Sequence, residues 1–433
     1  MKKKINLILV LFITCFSVFG QLKNKPQLDE DFMDMGFGIF VHWSMDSQLG
    51  SVISHSLVGA SDNYVNKYFN ELPKTFYPDK FDAEEWARLF KISGAEYVVF
   101  TAKHHNGFCM WDTKTTDFNI MNTPYGKDIV AELVTALRKY DLKVGIYFSP
   151  EDFSFIHKQG HLISRKGPMT QIGANKELFE YDKAQVRELI NNYGPIDVMF
   201  FDAFQSKPMA QYVHKIAPEI VVTRGEMKTP EQSIPGGAMP GPWETCMTMG
   251  TQWQYKPTND VYKDGSELIE KLIEIRAKGG NFLMNIGPKP NGEIPKEQEE
   301  RLREIALWMY VNEEGVKNVR TVPTIIKDGD MWFTKGKDDK TAYVFITGQK
   351  NWFKGGRRNF LLKNMRATSK TTASVLGQND LVVEYWPENL PTTRYIQHKE
   401  LLEISVSRAQ RLYNNKIWHN PIVVKLTDVE FIK

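Results

Sequence analysis

Cysteine is almost missing from this chain, with three among 433 residues, and only Cys109 and Cys246 lie beyond the first twenty positions. Two thiols cannot make a disulfide scaffold, so the fold has to rest on an apolar core, and two buried thiols are expected rather than a bridge. A surplus of charge is missing too. Lysine and arginine number 55 against 52 aspartates and glutamates, and three of those lysines are Lys2, Lys3 and Lys4. The first twenty residues hold no acid, so the remainder is formally neutral, 52 against 52. With no basic stripe, nucleic acid is excluded as an expected partner. No apolar run reaches the roughly 20 residues of a membrane span. The longest, Ile5 to Phe19, follows the three lysines, and Val18 and Gly20 stand at −3 and −1 of a cut before Gln21. Residues 1–20 therefore read as a signal peptide and the protein as exported, periplasmic or secreted. Cys15 lacks the small residue that normally precedes a lipidated cysteine. Metal patterns are missing as well: there is no HExxH and no Cys/His set, so neither a metal nor another cofactor is expected.

What is present is a rhythm. From about Gly36 to Pro288, short apolar runs alternate with stretches of helical spacing, the mark of parallel strands joined by crossover helices. The strand candidates are Gly36–Trp43, Glu96–Lys103, Lys143–Pro150, Ile196–Ala203, Ile220–Gly225, Pro242–Met249 and Gly280–Gly287. Their β-branched and aromatic content suits strands buried on both faces. Helical spacing marks Ala83–Ser93, Lys127–Tyr140, Asn175–Asn192, Ser266–Lys278 and Lys296–Asn312. A (β/α) TIM-like barrel over residues 21–320 is expected, with an open doubly wound sheet as the alternative on pattern alone. From about Thr321 the runs shorten and alternate, as in Met331–Thr334, Thr341–Thr347 and Val382–Tyr385. Residues 321–433 are therefore expected to form a C-terminal antiparallel β-sandwich.

Reactive groups of such a barrel stand at the C-terminal ends of its strands. Reading those ends yields His42, His104, His105, Tyr147, Glu151, Asp202, Arg224 and Glu244. Asp202 closes the run Pro195 to Phe201 with a carboxylate, although a strand-terminal Asp also serves simply to cap the next helix. Glu244 follows Trp243, and a carboxyl held against an indole stays protonated near neutral pH, as a general acid requires. His104 and His105 are adjacent, and neighbours on a strand point to opposite faces, so they are not expected to share an ion. Neutral imidazoles bonding to hydroxyls fit better.

The blocks Phe37-Gly-Ile-Phe-Val-His-Trp43, Lys103-His-His-Asn-Gly-Phe108, Val198-Met-Phe-Phe-Asp202 and Asn281-Phe-Leu-Met-Asn-Ile-Gly-Pro288 resemble glycoside hydrolase family 29, the α-L-fucosidases. The similarity covers roughly residues 30–320. It implies a retaining exo-glycosidase that removes terminal α-L-fucose from a glycan or oligosaccharide by double displacement. Asp202 would be the nucleophile and Glu244 the acid/base. His42, His104, His105, Tyr147 and Arg224 would hold the sugar or support the nucleophile, and Trp111 would form a nearby wall. Departures cluster at the pocket: Ser44-Met-Asp-Ser47 after the His-Trp pair, Phe200 two residues before the nucleophile, Ala203 and Phe204 after it, and His55 and Asp62 in a polar stretch. They leave two alternatives open, an α-L-galactosidase and a non-catalytic carbohydrate-binding barrel.

Overall fold

The computed structural model describes residues 23–348, 352–353, 355–381, 388, 390–409 and 420–432. The expected signal peptide and the strand expected at Val382–Tyr385 lie outside the described residues. Seven strands form one sheet: β1 (Phe37–Val41), β2 (Tyr97–Lys103), β3 (Lys143–Phe148), β4 (Val198–Phe201), β5 (Val221–Val222), β6 (Glu244–Thr248) and β7 (Asn281–Ile286). Their order is β5-β4-β3-β2-β1-β7-β6, and every pair is parallel. The two-sided burial follows from the alternation along each strand. Phe40, Tyr97, Tyr147, Val198, Phe200 and Leu283 meet one another on the inner face. Ile39, Val98, Ile146, Met199 and Phe201 turn outward into the helix layer.

The helices that follow the strands start where a side-chain oxygen caps a free amide. Asp82 accepts from Glu85 N before Ala83–Ile92, Asp128 from Ala131 N before Ile129–Lys139, and Asn175 from Leu178 N before Lys176–Asn192. The gap between the edge strands β5 and β6 is spanned by an irregular segment. Lys228 and Glu231 bridge in parallel to Trp243 and Cys246, and Gln232 N and Cys246 N donate to Cys246 O and Pro230 O at 2.9 and 3.1 Å. The free edge of β5 is covered from the other end of the chain. The Asn24 amide donates to Val222 O at 3.0 Å and accepts from Val222 N at 2.8 Å, and Asn24 N donates to Glu226 at 2.7 Å. Helices at Pro26–Met35 and Asp62–Asn70 were not expected. Only Phe32 is buried in the first, and only Val65 and Tyr68 in the second, so neither carries a readable apolar stripe.

Beyond the helix Lys296–Asn312 the chain turns antiparallel. A six-stranded sheet comprises β8 (Val319–Thr321), β9 (Lys327–Asp328), β10 (Met331–Gly336), β11 (Ala342–Ile346), β13 (Met365–Val375) and β16 (Ile422–Phe431). A three-stranded sheet holds β12 (Arg357–Leu362), β14 (Arg394–Gln397) and β15 (Leu402–Ser407). Phe333, Val344 and Leu426 of the first and Leu362, Ile404 and Val406 of the second belong to one apolar cluster. Trp308 ties this part to the parallel sheet, donating to Pro421 O at 2.7 Å and packing on Phe345.

Candidate active site

At the C-terminal ends of the parallel strands lies a cavity of about 300 Å³. Successive strands each deliver one group to it: the inward alternation of Phe40 and Phe200 carries on to His42 and Asp202, Tyr147 is itself an inward strand residue, and His104 and Arg224 are turned in by the irregular backbone after β2 and β5. His42 follows β1, His104 follows β2, Tyr147 lies near the end of β3, Asp202 follows β4 and Arg224 follows β5; all five line the cavity. Asp202 is the focus. Its Oδ2 accepts from the Tyr147 hydroxyl at 2.9 Å and its Oδ1 from Arg224 Nη1 at 2.9 Å. His105 Nε2 stands 3.7 Å from Oδ2, behind the carboxylate rather than in the cavity wall. Burial alone would raise this carboxyl, but His105, Arg224, Arg165 and the Tyr147 hydroxyl outweigh it and hold it well below the usual range. Asp202 is therefore ionised, as a nucleophile has to be.

The histidines are neutral. Burial lowers His42 to about 4 and His105 to about 3, and carries His104 well below its ordinary value. His104 Nδ1 accepts from His105 N at 2.9 Å, so its proton sits on Nε2 as a donor. The expectation that His104 and His105 face opposite ways is wrong. β2 ends at Lys103, and the pair begins a turn closed by Gly107 N donating to His104 O at 3.0 Å. The rings lie 4.4 Å apart, and ligand atoms of His104, His105 and Asp202 fall within 4.8 Å of one another. Among the described residues, these three could hold a cation. Yet both Asp202 oxygens already have partners, and His105 Nδ1 is bonded to Ser149 Oγ at 2.6 Å.

Two expected site residues are placed elsewhere. Glu244 begins β6 instead of ending it, pairing in register with Asn281, the first residue of β7. It is fully buried, lines no part of the cavity, and accepts from the Tyr97 hydroxyl at 2.8 Å. Tyr97 itself starts β2, so this carboxyl belongs to the layer nearer the N-terminal ends of the strands. Burial raises Glu244 to about 7. In the folded protein it keeps its proton while an unfolded chain would lose it, so stability falls as pH rises from about 4.5 to 7, by on the order of 2–3 kcal/mol. Glu244→Gln keeps the shape without the ionisable group. Its melting temperature should match wild type near pH 4.5 and exceed it at pH 8, with turnover within about threefold for good and poor leaving groups alike. A loss above tenfold confined to poor leaving groups would return Glu244 to the acid/base role. Trp111 is also no wall. The chain after β2 folds back, Met110 N donating to Ala102 O at 2.9 Å, and the buried indole bonds to Glu188 at 3.1 Å.

Other groups complete the cavity without having been expected. Trp253, on the loop after β6, packs on His42 with ring centroids 4.9 Å apart. Glu231, on the irregular segment between β5 and β6, lines the cavity with a side chain 46% exposed and accepts from Arg224 Nη2 at 3.1 Å. One guanidinium thus spans Asp202 and Glu231. Glu151 is buried with both oxygens engaged, by Arg165 Nε at 2.9 Å and Phe204 N at 3.2 Å, so it braces the turn after Asp202 and is not a free acid. Behind the histidines, Lys103 is locked by Asp152 at 3.1 Å and Asp182 at 2.9 Å, all three buried. Cys109 and Cys246 are free, buried thiols.

An ionised carboxylate under a pocket of neutral hydroxyl-binding groups, with a second carboxylate at the rim, is the arrangement of a glycoside hydrolase. A family model described as Alpha-L-fucosidase matches residues 19–314, and the chain belongs to that family. It is 30% identical to the plasma α-L-fucosidase of Pongo abelii over 385 residues, 77% of this chain and 79% of that one. It is 26% identical to the α-L-fucosidase of Dictyostelium discoideum over 375 residues, 76% and 79% of the two chains. In fold it is similar to a Bacteroides thetaiotaomicron α-L-fucosidase trapped as a covalent intermediate with 2-fluoro-fucosyl fluoride. That likeness has a TM-score of 0.73 and 22% identity, and covers 95% of this chain and 98% of the other. α-L-Fucosidase isoenzyme 1 from Paenibacillus thiaminolyticus aligns with the same TM-score at 23% identity, covering 93% and 99%.

Proposed function

We propose that the protein is an exported, exo-acting retaining α-L-fucosidase, with its catalytic (β/α) barrel over residues 21–320 and a β-sandwich over 321–433. The observation that carries the reaction is Asp202, ionised and aimed by Arg224 and Tyr147 beneath a cavity the size of one terminal sugar. Asp202 attacks the anomeric carbon, the glycosidic C–O bond breaks, and a covalent glycosyl-enzyme forms. Glu231 is the acid/base in this reading. It gives its proton to the departing oxygen, then takes one from the water that displaces Asp202. Retention needs carboxyl groups about 5–5.5 Å apart, a gap that one shared guanidinium can bridge. His42 and His104 supply hydrogen bonds to the sugar's hydroxyls. The inner rings of Phe40, Phe200 and Trp253 favour a methyl group at C6.

The departures Ser44 and Asp46 argue little for L-galactose. Both are buried behind the wall, where Asp46 accepts from Tyr68 and Ser51 at 2.8 and 3.2 Å and Ser44 from Asn106 at 3.1 Å. An apolar pocket rejects an added hydroxyl by about 10²-fold. The expected result is therefore a kcat/KM for an α-L-fucoside about tenfold or more above that for the matched α-L-galactoside. A tenfold preference for the galactoside would replace the sugar, and no turnover of either would leave a carbohydrate-binding barrel.

A further inference from the structure

One side of the cavity carries groups that make and break no bond at the anomeric carbon, although the charge of Arg165 helps to keep Asp202 ionised. Phe204, two residues past Asp202, lines the cavity yet is 63% exposed, whereas Phe200 and Phe201 on the strand before it are buried. Arg165, from the segment after β3, places its guanidinium carbon 5.2 Å from the centre of the Phe204 ring, within cation–π range. The buried Glu151 sets both of them, one oxygen holding Arg165 Nε and the other holding the Phe204 amide. The two amino groups of Arg165 meet no acceptor among the described residues, and the side chain lines the cavity. A fixed guanidinium with unspent donors beside an open aromatic face is suited to a pyranose. The ring's C–H face packs on the phenyl group, and its hydroxyl oxygens accept from the N–H groups.

We propose that Arg165 and Phe204 form the subsite for the leaving-group sugar, the unit from which the terminal residue is cut. This rests on the glycosidase reading of the cavity. Its position follows from exposure: a ring at the rim meets what projects from the pocket, not what fills it. The charge inventory selects a neutral sugar. With Glu231 carrying the proton it gives to the leaving oxygen, the carboxylates of Asp202 and Glu151 balance Arg165 and Arg224, so the rim has no net positive charge to hold a sulfated or uronic unit.

The test compares α-L-fucosyl fluoride, which has no leaving-group sugar, with a set of neutral fucosyl disaccharides and their sulfated counterparts. In Phe204→Ala and in Arg165→Gln, kcat/KM for the best disaccharide should fall at least tenfold further than for the fluoride. Phe204→Trp should recover most of that gap, and wild type should prefer the neutral disaccharide to the sulfated one. Equal losses on fluoride and disaccharide, or no loss on the disaccharide, would overturn the subsite alone. If wild type turns over neither substrate, the glycosidase reading fails and the subsite falls with it.

Discussion

Asp202→Ala is expected to lower kcat by about 10³-fold or more on every substrate, because no neighbouring group can take over bond formation at the anomeric carbon. The side chain lies between Arg224 Nη1 and the Tyr147 hydroxyl, each at 2.9 Å. The variant thus loses the nucleophile and also leaves a cavity facing the sugar. Azide fits that space and needs no proton transfer to attack. Turnover of a fluoride or aryl donor should partly return with azide, giving a glycosyl azide of inverted, β configuration. A folded Asp202→Ala variant that keeps more than a few per cent of wild-type activity without azide would remove Asp202 from the role.

Glu231→Ala is expected to separate substrates by leaving group. Proton transfer to the departing oxygen contributes typically 10²–10⁴-fold, so a fucosyl disaccharide should lose about that much. α-L-Fucosyl fluoride, whose leaving group needs little help, should be cleaved to the covalent intermediate at close to the normal rate. Azide then relieves the slow second step, and because Asp202 is still present the product keeps the α configuration. The two variants are thus told apart by the hand of the azide they make. Uniform losses across leaving groups would mean that Glu231 only steadies Arg224, to which it is bonded at 3.1 Å.

What the sequence made legible and what it hid divide along physical lines. Most of the parallel strands could be read because they are buried on both faces and written as largely apolar runs, whereas β6, Glu-Thr-Cys-Met-Thr, carries the weakest such signal. His42, His104, Tyr147, Asp202 and Arg224 could be read because each stands at or next to the end of such a run. Glu244 was misplaced since an apolar run marks a strand without marking which end of it a flanking carboxylate occupies. The other end of β6 leads to Trp253, which does line the cavity. Glu231 and Arg165 sit on segments with no period of either kind. Their positions are set by closure between β5 and β6 and by the Glu151 brace, contacts between residues far apart in the chain. The paired orientation of His104 and His105 was hidden for a related reason, since a strand's last residue cannot be known before the turn that ends it.

The amide of Asn24 that covers the free edge of β5 closes a loop of 198 residues. β1 closes a longer loop through Phe37 and Phe282 but is held by strand ladders on both sides, whereas this edge is held by the hydrogen bonds of a single side chain. The seam beside Val222 is therefore expected to zip last and open first, two residues from the arginine that aims Asp202. Competence to react would then arrive at the end of folding, and the Val222 amide should exchange with solvent sooner than the amides of β1 or β2. Substitution of Asn24 by alanine should hasten that exchange, and equal protection in the two proteins would show that the seam is held by other contacts.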